Sequence, residues 1–269
     1  MVTLTELKLP EEELEFLHRA LLLTDCGKAG IFTGLSATDE QIEKYADAVF
    51  ECSLRLMEQK PKAILLPIRG GADLGHDVDR VASYVAKSQG IPYHTYPIEL
   101  SASGISYRKE VEKEVEDELR WLNKWTERFH WTDEERESAH ALPRLKDLTI
   151  IDTAYTGMAY SKLLGIVARV LPDAKVNGIV AQDEMYQSDL EIFRQAHKNL
   201  GNGDFFYVRA PLIFEDQPTT FHNTDGDIKP SYIRIPTMGY SVAHDKMMRH
   251  VLRKPELTNL VTRLNLKVA

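Results

Sequence analysis

The fold is decided by the stretch LTIIDTAYTGMAYSKLLGIVARV, residues 148–170. Its first residues, Leu148–Ile151, form an apolar run that predicts a buried strand. A helical pattern follows from about Gly157 to Leu171, where Pro172 ends it. Small and hydroxyl-bearing residues connect the two. The order of strand, acidic residue, small-residue loop and helix is typical of a β-α unit in an α/β protein.

This connection has the chemistry of a phosphate site. A helix N-terminus presents unpaired N–H groups and a partial positive charge, and Gly157 would let the backbone approach a ligand closely. Thr153 and Thr156 would add hydroxyl donors. Asp152, which we expect to close the strand at the ligand-binding edge of the sheet, would accept hydrogen bonds from sugar hydroxyls. The alternative is an ordinary β-α turn in which Asp152 or Thr153 caps the helix.

Strands and helices alternate on both sides of this unit. The capping-box pair Thr38 and Gln41 predicts the start of a helix that ends before Pro61. We therefore expect an α/β fold with a doubly wound, mainly parallel sheet and helices on both faces. Further apolar strands are predicted at Ala63–Ile68, Pro92–Ile98, Val176–Ala181 and Phe205–Val208.

Three regions are predicted along the chain. Residues 1–60 form an N-terminal helical extension, which includes a helical pattern at Glu11–Leu23. Residues 61–210 form the core, with a charge-rich helix or helical hairpin inserted at about 107–140 that could supply a dimer contact. Its apolar face, which includes Trp125 and Phe129, is more typical of a packed helix than of an aromatic ligand site. Residues 211–269 are predicted to form a cap and C-terminal helices.

Charge and composition exclude several classes of function. The 269-residue chain has a net charge of -8, which argues against a general nucleic-acid binder. The locally basic stretch Lys246–Lys254 is interpreted as the solvated cationic face of a helix. The two cysteines, Cys26 and Cys52, indicate neither a metal site nor a disulfide framework. With no apolar run of membrane-spanning length and no secretory signal pattern, we expect a cytoplasmic protein.

The segment around residue 152 resembles the signature of the type I phosphoribosyltransferases. In that family an apolar strand leads to two acidic residues, which hold the ribose hydroxyls of phosphoribosyl pyrophosphate. A Thr/Gly-rich loop then cradles its 5-phosphate. The first acidic position falls on Ile151, which departs from the family pattern, and the second on Asp152. The resemblance assigns the 5-phosphate to Thr153, Ala154, Tyr155, Thr156, Gly157, Met158 and Ala159, of which Met158 and Ala159 replace a glycine and a threonine.

Two further stretches extend the resemblance over roughly residues 60–210. KAILLPIRGGADLGHDVDRVASY, residues 62–84, is similar to the family's earlier strand and pyrophosphate loop. There Arg69 would offer a charge-assisted fork to pyrophosphate, and Gly70 and Gly71 would offer backbone N–H groups. The alternative is a tight turn with Arg69 facing solvent. ELSASGISYR, residues 99–108, takes the place of the family's mobile catalytic loop, and Ser106 and Tyr107 resemble its Ser-Tyr pair.

The resemblance implies transfer of a 5-phosphoribosyl group to a nucleobase or related nitrogen nucleophile. Asp152 and Arg69 would be the catalytic residues, and Mg²⁺ the cofactor, with Asp152 a candidate to contact it through water. The family also implies a homodimer. Two alternatives stay open: a catalytically reduced sensor of phosphoribosyl pyrophosphate or a nucleotide, and an enzyme acting on another sugar phosphate.

Several other residues are candidates for ligand binding, and each also has a structural explanation. The resemblance also implies a variable part outside the core, called the hood, that selects the base. We expect it in residues 205–240 or in the N-terminal helices. Phe205, Phe206 and Tyr207 could stack on a base, although we expect at least one of them in the core. Asp183 and Glu184 either recognise a base or metal or cap a helix. Residues with metal-compatible spacing, more simply explained by the helix dipole, are Asp73, His76, Asp77 and Arg80.

Overall fold

The computed structural model describes residues 38–68, 71–102, 105–106, 108–154, 157–183, 190–200, 202–211, 219–222, 228–231, 246–251 and 253–254. Its centre is a sheet of five parallel strands in the order β2-β1-β3-β4-β5. This arrangement confirms an α/β fold with a parallel sheet. The strands are β1 (Ala63–Pro67), β2 (Tyr96–Leu100), β3 (Asp147–Ala154), β4 (Lys175–Asp183) and β5 (Phe205–Ala210).

Helices cover both faces of the sheet. On one face lie α1 (Asp39–Gln59) and α2 (Gly71–Ser88). On the other lie α3 (Lys109–Arg128), α5 (Met158–Val170) and α6 (Leu190–Leu200), with the short α4 (Asp133–Ser138) after α3. Alternation along each strand divides the core in two, so that Ile151 packs toward α1 and α2 while Ile150 packs toward α3 and α5.

Local sequence explains where these elements begin and end. Both capping-box hydrogen bonds at the start of α1 are present, from the Gln41 amide to the Thr38 hydroxyl and from the Thr38 amide to the Gln41 side chain. The helix ends at Lys60, which adopts the left-handed conformation just before Pro61. Strand β1 is buried along its whole length, as its uniformly apolar sequence predicts.

Three sequence predictions were wrong in detail. The strand predicted at Pro92–Ile98 is Tyr96–Leu100, because pairing with β1 starts only at Tyr96 opposite Ala63. Strand β3 does not close at Asp152 but runs on to Ala154, paired with Gln182 of β4. Gly71, predicted in a loop with Arg69 and Gly70, is the first residue of α2.

The inserted segment is a helical hairpin, one of the two predicted forms. Helix α3 buries Val111, Val115 and Leu119 against the sheet, and its other sides are charged and exposed. Trp125 and Phe129 are partly exposed near its end, with ring centroids 5.4 Å apart. The prediction of a packed helix with solvated flanks is therefore confirmed.

The terminal regions are described only in part. The helix predicted at Glu11–Leu23 lies outside the described residues. In the predicted cap, β6 (Thr219–His222) and β7 (Ile228–Ser231) form an antiparallel hairpin. Residues 246–251 are helical, with Met247 and Val251 buried in the core beside α1. No helix among the described residues has the length and apolar character needed to span a membrane.

The sequence predicted that the basic C-terminal stretch is a solvated cationic face. This prediction is wrong in part, because three of its side chains contact acidic residues of α1. Lys246 lies 2.5 Å from Asp39 of α1, and both His250 and Lys254 reach Asp47, at 2.7 and 2.5 Å. Burial alone would raise the pKa of Asp47, but the hydrogen bonds from Lys254 and His250 outweigh it and lower that pKa. These three side chains therefore dock the C-terminal segment on α1.

Candidate functional site

The strand order reverses between β1 and β3, and both predicted loops follow these two strands. In parallel α/β sheets, ligands bind outside the carboxyl ends of the strands at such a switch point. Ile68 leaves β1 and Ala154 ends β3 at the same edge of the sheet. Arg69, Gly70, Tyr155 and Thr156 lie outside the described residues. The residues that flank them lie at this one edge, and the space beyond the carboxyl ends of β1 and β3 is the candidate crevice.

On one face of this crevice, α2 begins directly against β3. A Cβ placed on Gly71 would lie 2.0 Å from the carbonyl oxygen of Ile151 and 2.7 Å from Cδ of Pro67. Only glycine permits this approach. The contact brings the N-terminal N–H groups of α2 to the carboxyl end of β3, where they can face an anion.

On the other face, α5 begins at the same edge. Its N-cap, Gly157, has φ of 76°, a left-handed conformation that favours glycine, and a Cβ there would lie 2.5 Å from the ring of Phe193. No side-chain cap of this helix is found among the described residues, and its first turn contains no acidic residue. Its first residue, Met158, is 53% exposed, so the positive end of the helix dipole is accessible beside the crevice.

The side chains of Asp152 and Thr153 lie on opposite faces of the sheet. Asp152 is 4% exposed and lies on the face that α5 covers. Burial, together with the charge of Asp152, raises the pKa of the Tyr160 hydroxyl far above its usual range. Thr153 lies on the α2 face, and its buried hydroxyl has no hydrogen-bond partner among the described residues. The structure thus brings Thr153, but not Asp152, toward the N-terminus of α2.

The segment predicted as a mobile loop starts one strand further out. Ser106 is half-buried beyond the end of β2, and its neighbour Ile105 packs in the core toward α3. Tyr107 lies outside the described residues. In the sheet, β1 separates β2, which precedes this segment, from β3, which precedes α5.

The possible metal-binding residues of α2 do not converge. Asp77 is buried and accepts a hydrogen bond of 2.9 Å from the Tyr45 hydroxyl. His76 instead lies 2.7 Å from the Glu99 carboxylate on β2. No group of three or more His, Cys, Asp or Glu side chains suited to a metal ion occurs in the described part of the chain.

The three aromatic residues of β5 pack on the protein core. Phe205 and Tyr207 face α6, whereas Phe206 lies on the α1 face, 5.2 Å below the Arg55 guanidinium. The prediction of a core position for at least one of them is confirmed. Asp183 ends β4 at the ligand edge, and Glu184 lies outside the described residues.

Sequence reasoning missed a buried polar cluster under β4. His197 and Tyr160 are both at most 3% exposed, and neither His197 Nε2 nor the Tyr160 hydroxyl has a hydrogen-bond partner among the described residues. A Cβ on Gly178 would lie 1.9 Å from the Tyr160 hydroxyl and 2.9 Å from His197 Nε2. The signal in the sequence was a glycine within a strand, which indicates close approach of another group.

The burial of His197 in this cluster predicts that the folded protein loses stability at acidic pH. Burial lowers the pKa of His197, although Asp204 opposes this. As pH falls below the ordinary histidine value of 6.5, the unfolded chain takes up a proton that folded His197 resists, so the free energy of unfolding decreases. Urea unfolding at pH 7.5 and 5.5 should show a smaller loss in His197→Gln than in the wild type. An exposed control, His94→Gln, should lose as much as the wild type; equal losses in all three proteins would refute the assignment.

No family model matches the chain, and no curated protein matches it. The fold and the site define the class, a three-layer α/β protein with a parallel sheet and two helix N-termini at its switch point.

Proposed function

We propose that the protein binds phosphoribosyl pyrophosphate and transfers its 5-phosphoribosyl group to a nitrogen of a small-molecule base, with pyrophosphate leaving. The supporting observation is that β1 and β3 are parallel neighbours whose carboxyl ends lie at one edge of the sheet. The loops after β1 and β3 are the two stretches that resemble the family's pyrophosphate and 5-phosphate loops, and each leads into a helix N-terminus.

The 5-phosphate is assigned to the start of α5. Residues 153–159 contribute backbone N–H groups and the hydroxyls of Thr153 and Thr156. The absence of acidic residues from the first turn of α5 leaves its dipole free to attract the phosphate. Gly157 keeps the backbone in the left-handed turn that starts the helix.

Pyrophosphate is assigned to residues 69–71 at the start of α2. Arg69 would form charge-assisted hydrogen bonds with the leaving group, and the N–H groups of Gly70 and Gly71 would add to them. A carboxylate cage for Mg²⁺ does not occur among the described residues. The ion would therefore fit best as part of the substrate, bound mainly by phosphate oxygens and water.

Displacement at the anomeric carbon builds positive charge on the ribose and negative charge on the pyrophosphate. The chain's own contribution is to hold both ends of the substrate on two rigid helix N-termini. In the resembling family, closure of a catalytic loop excludes water and limits hydrolysis, and residues 99–108 take the place of that loop in the sequence.

A binding protein without turnover is the second candidate, and two side chains favour it. Ile151, at the family's first acidic position, is fully buried in the core. Asp152 is 4% exposed, so its carboxylate is not open to a sugar in this conformation. Such a protein would sense phosphoribosyl pyrophosphate or a nucleotide through the same loops.

The assignment is tested by charge at the first residue of α5. Because Met158 is exposed, Met158→Glu should fold normally while its carboxylate repels the 5-phosphate. We expect calorimetry with phosphoribosyl pyrophosphate and Mg²⁺ to show at least a tenfold loss of affinity, about 1.4 kcal/mol. The isosteric control Met158→Gln should stay within threefold of the wild type.

Pyrophosphate release across a panel of bases separates the candidates. Release with one base, lost in Met158→Glu, would identify the transferase and its acceptor. Binding without release would favour the sensor. If the wild type does not bind, or if Met158→Glu binds equally well, the site is an ordinary β-α turn. Binding of other sugar phosphates instead would indicate an enzyme of that class. The homodimer and the cytoplasmic location stay predictions.

A further inference from the structure

A cavity lies at the opposite edge of the sheet from the switch point. Its volume is about 960 Å³, near the upper end of the range for small-molecule sites. It is bounded by the C-terminal ends of α1 and α2, by residues 89–95 that lead into β2, and by α4 of the helical hairpin. Nothing in the proposed transfer reaction uses it.

Two strained backbone positions face this cavity. Lys60 and His140 each have φ of 50°, and they are the only non-glycine residues with positive φ among those described. Each follows the end of a helix, where glycine or asparagine would adopt the left-handed conformation more easily. The chain instead places a lysine and a histidine there. Strain of this kind tends to occur at functional sites.

The charge of the lining is opposite to that of the whole protein. The chain carries a net charge of -8, yet Lys60 and Lys62 line the cavity with a single carboxylate, Glu137. Neither lysine has an ion-pair partner within 4.0 Å among the described residues, although Lys62 interacts weakly with Asp147. The rings of His94 and His140 stand 6.4 Å apart beside them. Two lysines therefore face one carboxylate in the lining, and this excess of positive charge favours an anion.

Part of the remaining lining is apolar and is held in place. Tyr93, with Ile91 and the buried Met57, contributes apolar surface. The Tyr93 hydroxyl donates to Asp79 at 2.7 Å, as does the Thr95 hydroxyl at 2.5 Å, which fixes the segment before β2. Such a surface can hold a flat apolar group next to the cations.

We infer that this cavity binds a small organic anion, in which a phosphate or carboxylate group is attached to a planar apolar body. The anion lies against Lys60 and Lys62, and the planar body lies against Tyr93, His94 and His140. The site is independent of the switch point, because the whole length of the sheet separates the two edges.

Matched probes test this assignment by calorimetry. We use 1-naphthyl phosphate and 2-naphthoate as anions and 1-naphthol as the neutral counterpart. We expect the wild type to bind at least one anion tenfold or more tightly than naphthol, and the better anion distinguishes a phosphate from a carboxylate ligand. The double variant Lys60→Asn, Lys62→Gln should lose at least tenfold in affinity while keeping its fold, since asparagine tolerates the left-handed conformation.

Two controls make the outcome specific. Lys113→Gln, Lys124→Gln removes the same charge from exposed positions on α3 and should change affinity less than twofold. Met158→Glu, at the switch point, should also leave affinity unchanged. The inference is overturned if neither anion binds, if naphthol binds as tightly, if the Lys60 and Lys62 double variant keeps wild-type affinity, or if Met158→Glu abolishes binding.

Discussion

Replacing Gly71 with alanine is expected to lower the free energy of unfolding by about 3 kcal/mol, the upper end of typical overpacking costs. The added methyl would lie 2.0 Å from the carbonyl oxygen of Ile151 and 2.7 Å from the Pro67 ring. Neither group can rotate away, because one is backbone within β3 and the other is a ring at the end of β1. Relief therefore requires α2 to shift as a unit. Urea unfolding followed by circular dichroism measures the loss.

A second glycine provides the control. Gly165 lies within α5, and the nearest atom to a Cβ placed there is 3.8 Å away. Gly165→Ala should therefore stabilise the protein, by about 0.5–1 kcal/mol, since alanine favours the helix. Equal unfolding midpoints for the two variants would show that α2 does not press on β3 as described. Because α2 starts at the candidate pyrophosphate loop, residual folded Gly71→Ala protein should also bind phosphoribosyl pyrophosphate more weakly.

Gly71 shows which features of the fold can be predicted from the sequence alone. Two breakers after a uniformly apolar run predict that β1 ends near Pro67 and that a helix follows. The closeness of that helix to β3 depends on strand order, which no local pattern encodes. The same holds for the meeting of the two candidate loops at one edge: each loop was predicted, whereas their proximity follows from β1 and β3 being neighbours.

The direction of the Asp152 side chain is a second feature that could not be predicted from the sequence. Successive residues of a strand point to opposite faces, so the exposure of a residue at a strand end depends on where pairing stops. The polar residues after Ile151 predicted an early end, but β4 extends far enough to pair β3 as far as Ala154. Asp152 is therefore covered by α5 instead of lying open at the edge.

Edge strand β2 was misplaced for a related reason. Central strands of a parallel sheet are buried on both faces and have uniformly apolar sequences, as β1 and the middle of β3 do. Strand β2 has only one neighbour, and Tyr96, Pro97 and Glu99 remain partly or fully exposed. The apolar signal was weak, so pairing with β1 decided its limits.

The charge-rich sequence of the helical hairpin gave no sign that one of its charged residues, Arg136, is buried. Arg136 lies in the run DEERES and was included in a segment with solvated flanks, yet it is 2% exposed. Its guanidinium donates hydrogen bonds to the carbonyl oxygens of Thr126, Phe129 and Leu142. These carbonyls come from the end of α3 and from the return segment. Arg136 therefore links α4 by hydrogen bonds to the end of α3 and to the segment that follows α4.

Arg136→Met is expected to destabilise the hairpin by about 3 kcal/mol or more, because each buried carbonyl left without a donor costs about 1–3 kcal/mol. Lysine should recover only part of this loss, since one ammonium cannot reproduce the planar fork that reaches three acceptors. Hydrogen exchange measured by mass spectrometry would locate the effect, with faster exchange in residues 126–142 than in the sheet.

The matched surface variant is Arg120→Met on α3. Arg120 is largely exposed, and its ion pair with Glu116, 2.7 Å long, is screened by solvent, so its loss should change stability little. Similar effects of the two methionine substitutions would mean that the buried hydrogen bonds of Arg136 do not hold the hairpin. A large effect at Arg136 alone would also reach the cavity opposite the switch point, because Glu137 and His140 lie close after it in the chain and form one wall of that cavity. Arg136→Met should then weaken binding of the naphthyl anions, although the guanidinium itself lies outside the cavity lining.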